Sequence, residues 1–571
     1  MCRLRLLKIS GRNLCLRHGP PAFPDTLRYL SWNSYPLKSI STNFIADKLV
    51  ALVMRESQLE KLWEGAPNLD NLKRIDLIGS MQLTQVPDLS RAPKIESVFL
   101  NGCESLTEVP SYFQHLTKLR ELSLLCCTSL SKLSRLPKSL TTLRVFTHPF
   151  AHRIPCCASS SKLERFPKIS GPMEFLEHLQ IEYAAIKELP LSINNLTGLK
   201  ALSLSVCRNL EFLPDSIHSL SSLQELDISF CQKLESLPVL PSSLSILDAR
   251  CCTSLKTVSS SIPLVKQNWD DLFSGGYKCE DFLFIGCEML DENARRVLMD
   301  EALFRILRSA TIVSKYGSDV RGFIRSFWPG NEIPWWFSHK SDESSICIKL
   351  PHPDSWYDSS GYLGLAFCLV LEFHHPMLTL INYNWAICGE SVYMFPNGDS
   401  WKQRRYWFID PQRDRVFSNY PCAFDGSLTN SEYLCVFVDN TYGESLRSNK
   451  WEEFGKYIKA EEVSRCDDTN GIIGFTTPVT ASFSFSFLES HRQFSKIKKC
   501  GVHLLYRQEA ERFGYVRQVD QSESSGEHEA VFCSDQDEED EEEDDNGGRE
   551  SDSDEECREA IHFESDDQEE A

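Results

Sequence analysis

Cysteine is the residue type whose spacing could do chemistry in this chain, since 22 of the 571 residues are Cys. A zinc site needs paired ligands a few residues apart, and three cysteine pairs are directly adjacent instead, at Cys126-Cys127, Cys156-Cys157 and Cys251-Cys252. Another spacing is regular, because one Cys follows the first residue of an apolar segment by eight positions at Cys103, Cys127, Cys207, Cys231 and Cys252. We therefore predict free thiols buried as small apolar side chains, with no metal and no cofactor.

Motifs that carry catalysis are missing from the sequence. It contains no G-x-S-x-G elbow, no H-E-x-x-H pair and no G-x-x-x-x-G-K-[ST] phosphate loop. The nearest Gly-Lys pair, Gly455-Lys456, is followed by Tyr457 and lacks the second glycine. We therefore predict a binding protein without catalytic residues, rather than an enzyme.

The elements that position the regular cysteines are short repeats. Each opens with an L-x-x-L-x-L segment, and nine of the ten gaps between the leading residues measure 21–24 residues. The leading residues are Leu4, Leu27, Leu49, Leu72, Ile95, Leu119, Leu140, Leu176, Leu199, Leu223 and Leu244. The gap of 36 after Leu140 indicates an insertion or a degenerate repeat. This period predicts leucine-rich repeats, in which short strands turn their leucines inward and neighbouring coils stack to bury them.

We place the leucine-rich repeats at residues 1–258 and expect three segments after them. Residues 259–319 form a linker with one helix at about 291–310, where apolar residues recur every four positions. Residues 320–508 hold short alternating strands, and residues 509–571 form an acidic tail. The predicted fold class is an α/β leucine-rich-repeat solenoid (horseshoe), followed by a mainly β sandwich domain and a disordered tail.

The net charge of −21 belongs almost entirely to the tail. Residues 534–571 contain 21 Asp and Glu against two Arg, so the rest of the chain is nearly neutral. No basic stripe with interleaved aromatics points to nucleic acid, and the longest apolar run, near residues 362–371, is about half of a membrane span. No signal peptide follows Met1. We therefore predict an intracellular protein of the cytoplasm or nucleus that binds neither nucleic acid nor membrane.

Several phrases of the repeats resemble plant intracellular immune receptors that have a TIR domain, a nucleotide-binding domain and leucine-rich repeats. These phrases are residues 27–32, 35–39, 59–65, 72–77 and 185–190. The resemblance implies the C-terminal portion of such a receptor, without its TIR and nucleotide-binding domains. Because the chain starts within a repeat, we expect a truncated product, a fragment or a partner acting in trans.

The second half of the chain strengthens this resemblance. W-P-G-N-E-I-P-W-W-F at residues 328–337 and K-K-C-G-V-H-L-L-Y at residues 498–506 resemble the jelly-roll and Ig-like domain (C-JID) that follows the repeats in those receptors. The motif residues singled out are Trp328, Pro329, Gly330, Glu332, Ile333, Pro334, Trp336 and Phe337. We predict that they pack where this domain meets the repeats, with partner binding by surface aromatics as the alternative.

The candidate partner-binding residues lie four and six positions after the leading residues, on the predicted concave face. They are Arg55, Asp76, Phe99, Asn101, Arg144, Phe146, Glu182, Asp227, Asp248 and Arg250. Aromatic and Arg side chains suit a protein partner, because they dominate interface hot spots. The resemblance implies that this partner is a pathogen effector or a full-length receptor in plant defence. The alternative is an acidic leucine-rich-repeat nuclear protein that binds histones or other basic partners through its tail, although such a protein has no place for the long β domain.

Overall fold

The computed structural model describes part of the chain in detail. The described residues are 4–11, 16, 23–40, 44, 47–63, 67–146, 162–262, 280–316, 323–349, 361–373, 381–394, 400–408, 431–439, 472–475, 480–487 and 495–512. The chain divides into the units Met1–Arg517 and Gln518–Ala571, and every described residue belongs to the first. The predicted disorder of the tail therefore lies outside the described residues, apart from residues 509–512, which are helical.

Each repeat contributes one short strand to a parallel sheet. These strands are β1 (Leu6–Ile9), β2 (Tyr29–Trp32), β3 (Ala51–Val53), β4 (Arg74–Asp76), β5 (Ser97–Phe99), β7 (Glu121–Leu125), β9 (Thr142–Phe146), β10 (His178–Glu182), β11 (Ala201–Ser203), β12 (Glu225–Asp227) and β14 (Ile246–Asp248). Two parallel pairs lie elsewhere in the coils, β6 (Glu108–Val109) with β8 (Lys132–Leu133) and β13 (Ser236–Leu237) with β15 (Thr257–Val258). The central residue of the strands, such as Leu52, Ile75 and Leu226, is buried, because the next coil covers it. The predicted solenoid is confirmed.

A left-handed residue ends the strand segment of most described coils, with φ between 53° and 80°. Nine of these residues lie seven positions after a leading residue, and Gly286 lies beyond the predicted repeats: Ser34, Glu56, Gly79, Gly102, Cys126, Tyr183, Val206, Phe230, Cys251 and Gly286. The amide of this residue donates to the carbonyl of the next coil, as from Val206 to Ser229 and from Phe230 to Arg250, both at 2.7 Å. This bond continues the ladder past the strand and holds side chains such as Val206 in a conformation that L-residues avoid.

The regular cysteines lie directly after that turn and form a thiol stack. The thiols of Cys127, Cys231 and Cys252 donate to the carbonyls of Leu100, Leu204 and Ile228 at 3.2, 3.3 and 3.1 Å. Cys103 and Cys207 make the same contact with Leu77 and Ile181. All five are fully buried, and their burial raises the pKa of the Cys103 and Cys207 thiols to about 12. The stack is thus made of unionised thiols that satisfy one carbonyl per coil.

The repeat ladder continues beyond residue 258. Strand β16 (Glu280–Leu283) pairs in parallel with β14, and the thiol of Cys287 donates to the Ala249 carbonyl at 3.0 Å, as in the thiol stack. The sequence pattern assigned this coil to the linker, because its apolar strand residues are Phe282 and Phe284 instead of leucines. Strand β17 (Phe323–Pro329) then pairs in parallel with β16, so the second domain begins on the last edge of the repeat sheet.

The second domain is a β-sandwich. Its strands are β17, β18 (His339–Ser341), β19 (Ser345–Lys349), β20 (Tyr362–Phe373), β21 (Ile381–Met394), β22 (Ser400–Phe408), β23 (Ser431–Asp439), β24 (Ile472–Phe475), β25 (Thr480–Phe487) and β26 (Ser495–Tyr506). One sheet runs β17-β23-β20-β26-β18, and the other runs β19-β25-β21-β22 with β24 beside β21. Phe367 of the first sheet meets Phe483 of the second at a ring separation of 5.4 Å. The predicted mainly β sandwich is confirmed.

The first sheet of the sandwich is buried on both faces. Along β20, Ala366, Cys368 and Val370 join the core of the repeats, whereas Phe367 and Leu369 face the second sheet. This double burial explains the long apolar run near residues 362–371, because a strand covered on both sides has no polar face. One apolar core therefore extends from the leucines of the repeats into the sandwich.

The helix α1 (Glu292–Tyr316) covers the junction and carries buried charges. Arg305 pairs with Glu280 of β16 at 3.4 Å and with Glu301 at 3.3 Å, and Arg308 also pairs with Glu280. The Arg305 guanidinium lies 3.6 Å from the ring centre of Phe282. All four charged side chains are buried. Buried charges are tolerated only when they are paired, so this junction network fixes how the helix lies on the last coil.

A second buried pair ties the sandwich to the last coil. Arg325 of β17 donates from Nε to Asp281 of β16 at 2.6 Å, and both side chains are nearly inaccessible. The backbone amide of Ser261 donates to Glu301 at 2.6 Å, which anchors the end of the repeats to the helix. A short helix α2 (Arg507–Arg512) closes the described chain and packs against α1.

The thiol stack predicts a pattern of chemical protection. Because burial raises the pKa of the stacked thiols, iodoacetamide at pH 8 should alkylate the exposed Cys347 readily and leave Cys103, Cys207 and Cys231 unmodified in the folded chain. Peptide mass spectrometry measures each site, with a urea-denatured sample as the control in which all sites react. Native labelling of Cys103 at the rate of Cys347 would contradict the stack.

The junction network predicts a large difference between two Glu→Ala variants. Glu280→Ala leaves two buried arginines without their shared carboxylate and should lower the free energy of unfolding by about 3–5 kcal/mol. The control Glu235→Ala removes an exposed pair with Lys256 and should cost less than about 1 kcal/mol. Urea denaturation followed by tryptophan fluorescence compares them. Equal midpoints would show that the network contributes nothing to stability.

Candidate partner-binding face

Pairing register places the predicted face residues in one continuous row. Along the ladder, Asp76 lies beside Phe99, Arg144 beside Gln180, and Asp227 beside Asp248. The predicted part of this row is Val53, Asp76, Phe99, Ser123, Arg144, Gln180, Ser203, Asp227 and Asp248, and Ser31 and Leu283 continue it at the two ends. We call the side of the sheet that carries this row the partner face. The sequence period alone could not prove this adjacency, because register depends on which atoms pair across coils.

The first part of the partner face is organised around a buried carboxylate. Asp76 is inaccessible and accepts from Arg55 Nε at 3.1 Å and from Arg74 at 3.1 Å. The expectation that Asp76 is exposed is therefore wrong, because two guanidinium groups cover it. The Arg74 guanidinium also lies 4.4 Å from the ring centre of Phe99. Sequence reasoning missed Arg74, which lies only two positions after its leading residue. This part therefore presents two arginines and an aromatic edge to solvent.

The middle of the partner face contains polar contacts between coils. Asn101 accepts from the Ser123 hydroxyl at 2.6 Å and from the Leu125 amide at 3.1 Å, so its carbonyl oxygen serves the fold. Arg144 is exposed and pairs with Glu121 at 3.1 Å. The backbone of Phe146 lies in β9, and its side chain lies outside the described residues. Arg144 is thus the accessible charged group at this point of the row.

The last part of the partner face is acidic. Glu182 accepts from the Ser203 hydroxyl at 2.9 Å, and Asp248 accepts from Arg250 Nε at 2.8 Å. Arg250 is buried, so the expectation that it is exposed is wrong: it lies against the sheet because it holds the carboxylate of Asp248. Asp227 accepts from the backbone amide of Ser229 at 2.9 Å and has no ion pair with a described residue.

Asp227 is the titratable group of the face with a large pKa shift. Burial in the row and then the charge of the neighbouring Asp248 raise its pKa from 3.8 to about 6, against the hydrogen bonds from Ser229. Its charged form therefore costs folding free energy near neutral pH. A cation from a partner would relieve that cost.

The tryptophan motif of the sandwich is a packing element with one exposed ring. Trp328, Trp336 and Phe337 are buried, and the last two stack at a centroid distance of 4.2 Å. Ile333, Pro329 and Pro334 are also buried, and Trp328, Ile333, Trp336 and Phe337 belong to the core shared with the repeats. A Cβ at Gly330 would lie 2.7 Å from Leu434 Cδ1, so a larger residue there would displace the Leu434 side chain.

Three side chains of this motif are exposed, Asn331, Glu332 and Trp335. Trp335 is 74% exposed, and Glu332 is exposed beside Lys499, with which it pairs at 3.3 Å. The ring of Trp335 lies outside the core that its neighbour Trp336 enters. Trp335 therefore fits the alternative prediction for this motif, a surface aromatic that could bind a partner.

No group of three His, Cys, Asp or Glu side chains among the described residues could hold a metal ion. No helix among the described segments combines the length and apolarity needed to cross a membrane. The partner face is a polar and aromatic surface on a hydrogen-bonded sheet.

Comparison with family models matches both halves of the chain. Residues 328–511 match the C-JID domain, and residues 48–66 match a Leucine Rich Repeat model.

Curated relatives are disease resistance proteins of Arabidopsis thaliana. Disease resistance protein RML1B is 31% identical over 382 residues, which are 61% of this chain and 31% of the relative. RPP2A is 37% identical over 226 residues, covering 37% of this chain and 16% of the relative. RPS4B is 28% identical over 413 residues, covering 65% of this chain and 34% of the relative. The chain thus spans about a third or less of the length of these relatives.

Solved structures with similarity to this chain are leucine-rich-repeat proteins. The leucine-rich repeat domain of the type III effector XopL is 23% identical with a TM-score of 0.27, covering 37% of this chain and 71% of that one. The ectodomain of the Arabidopsis thaliana receptor kinase GASSHO1/SCHENGEN3 is 17% identical with a TM-score of 0.17, and the match covers 47% of this chain and 52% of that one. Scores this low carry no argument about function. The chain thus matches the C-JID domain over residues 328–511 and a leucine-rich repeat over residues 48–66, and it is similar to part of the disease resistance proteins of Arabidopsis thaliana.

Proposed function

We propose that this chain is a protein-recognition module of plant immunity, in which the partner face and the C-JID domain together bind a protein partner. The proposed partner is a pathogen effector or a regulatory protein of the defence response. The relatives, which are named disease resistance proteins, support the biological setting. The role is recognition and not catalysis, and the proposed location is the cytoplasm, with the nucleus as a second compartment.

The observation that carries this proposal is the register of the partner face. From Val53 to Asp248 one side chain follows another across hydrogen-bonded strands. At about 4.8 Å per strand, the row extends for about 40 Å, which is the scale of a protein interface. Because the strands are locked by the ladder, a partner would order few side chains on binding.

The charges of the face suggest how such a partner would be oriented. Arg55 and Arg74 lie in its first part and Arg144 in its middle, whereas Glu182 and Asp227 lie in its last part. A partner with an acidic patch at one end and a basic patch at the other would bind in one direction only, because the reversed arrangement places like charges together. The exposed Trp335 of the sandwich would add an aromatic anchor.

A binding screen tests the proposed function. We expect the full chain to bind at least one pathogen effector in a yeast two-hybrid panel, and purified proteins to reproduce the binding. Arg144→Glu or Trp335→Ala should weaken that complex by at least about tenfold, or 1.4 kcal/mol. Lys187→Glu, an exposed change outside the row, is the control and should leave affinity within about twofold. A complex that ignores both substitutions, or one that only the acidic tail supports, would contradict the proposal.

The pKa of Asp227 predicts a pH-dependent gain in stability. Because the folded-state pKa of about 6 exceeds the ordinary value of 3.8, the folded chain binds this proton more tightly, and stability falls as pH rises through that interval. Asp227→Asn removes the penalty and should raise the thermal midpoint at pH 7.5 by up to about 4 °C, with little change at pH 4. Ser203→Ala, in the same row, is the control for altered packing. An equal shift at both pH values would mean that Asp227 carries no electrostatic cost.

A further inference from the structure

A basic cavity lies between two neighbouring coils, outside the partner face. Its volume is about 130 Å³, and its charged lining side chains are Arg135, Lys138 and Lys168, which we call the cavity cations. Gln114 and Ser170 contribute an amide and a hydroxyl. No carboxylate belongs to the lining that the structure describes. The lining residues belong to segments that precede the next strand of the sheet, so they are separate from the row of the partner face.

The two coils that supply most of the cavity lining lack the short 3-10 helix that three other coils carry before the next strand. Those three helices are Ser111–His115, Leu191–Asn195 and Asp215–Ser219. Residues 134–138 and 162–173, in the coils between, form no helix. The wall is nevertheless fixed, since the Ile169 amide donates to Ser192 Oγ at 3.0 Å and the Ile169 carbonyl accepts from Asn195 at 3.1 Å.

Five lysines of the repeats form ion pairs with glutamates of neighbouring coils, and the cavity cations form no such pair with a described residue. Lys73 pairs with Glu96 at 3.1 Å and Lys200 with Glu177 at 2.8 Å, each across two neighbouring coils. The same kind of pair recurs at Lys38–Glu60, Lys132–Glu108 and Lys256–Glu235. Among the described residues, the cavity cations have no ion pair. Three like charges are thus gathered without a protein counter-charge.

The sequence around the cavity reinforces this positive charge. Residues 134–173 contain seven Lys and Arg against the single acid Glu164, in a chain that is acidic overall. Lys138 extends towards the next coil, because its Nζ lies 3.6 Å from where a Cβ on Gly171 would be. Lysines on both coils therefore converge on one space, which draws a mobile anion to it.

We propose that this cavity binds a small ligand that carries two or more phosphate groups. Arg135 offers a planar fork that matches phosphate oxygens, and the two lysines supply compact charges that a single carboxylate would not neutralise. A volume of about 130 Å³ holds roughly four waters at about 30 Å³ each, which is room for one phosphate group with a second at the mouth. The apolar side chains of Leu136 and Met173 line the wall, and the cavity cations themselves are exposed to solvent.

Calorimetric titration of the full chain with inorganic tripolyphosphate tests the site. We expect micromolar binding that weakens as sodium chloride rises, because the charges are partly screened. Lys138→Glu with Lys168→Glu should weaken binding at least tenfold. The matched control, Lys187→Glu with Lys233→Glu, changes the net charge equally at exposed positions outside the cavity and should keep the affinity within twofold. Equal losses in both double variants would reduce the effect to net charge and overturn the site.

Two further measurements keep the result decisive. Citrate carries its charge on carboxylates and should bind at least tenfold more weakly than tripolyphosphate, so equal binding would overturn the phosphate assignment. Lys138→Met with Lys168→Met keeps most of each side-chain stem, and circular dichroism should show that its fold is intact. If this folded variant binds tripolyphosphate like the parent chain, the cavity cations are not the site. Absence of binding to the parent chain at 50 mM sodium chloride would also reject the proposal.

Discussion

The dependence of each coil on the next is the constraint from which the structure follows. A coil buries residues such as Leu226 only when the neighbouring coil covers them, and the backbone amides of its strand are satisfied only by the neighbour's carbonyls. The left-handed turn and the thiol stack extend the same dependence beyond the strand, because each supplies one further bond between coils. An array built this way has an open edge at each end, and such an edge must be covered.

The β-sandwich covers the last of these edges. Strand β16 is the final coil of the ladder, and β17 pairs with it in parallel before turning the sheet into an antiparallel one through β23. The buried pairs Arg308–Glu280 and Arg325–Asp281 lie at this step, together with the helix α1. Buried ion pairs at this junction constrain the orientation of the sandwich and the helix on the last coil more than they add stability, since each buried charge is tolerated only opposite its partner. The repeats and the C-JID domain therefore share one core and one continuous sheet.

Two kinds of polar surface result from this scaffold. On the partner face most charged side chains already form ion pairs, as Asp76 does with Arg55 of the neighbouring coil. Recognition would therefore depend on the side chains that remain accessible, including Arg144, Asp227 and Trp335. In the basic cavity the lysines have no ion-pair partner among the described residues. The contrast arises because the described lining of the cavity contains no carboxylate that could pair with its cations.

The sequence alone determined the repeat period, the inward leucines and the position of the regular cysteines, because a coil has one strand and one turn at fixed offsets. It also indicated the sandwich and the C-JID motif, whose residues are local in sequence. Only the tertiary structure decided the continuation through Cys287, since phenylalanines replace the expected leucines there. It also decided that Asp76 and Arg250 are buried, although their offsets predicted exposure. Those outcomes depend on side chains from neighbouring coils or strands, and a linear pattern does not record which guanidinium covers which carboxylate.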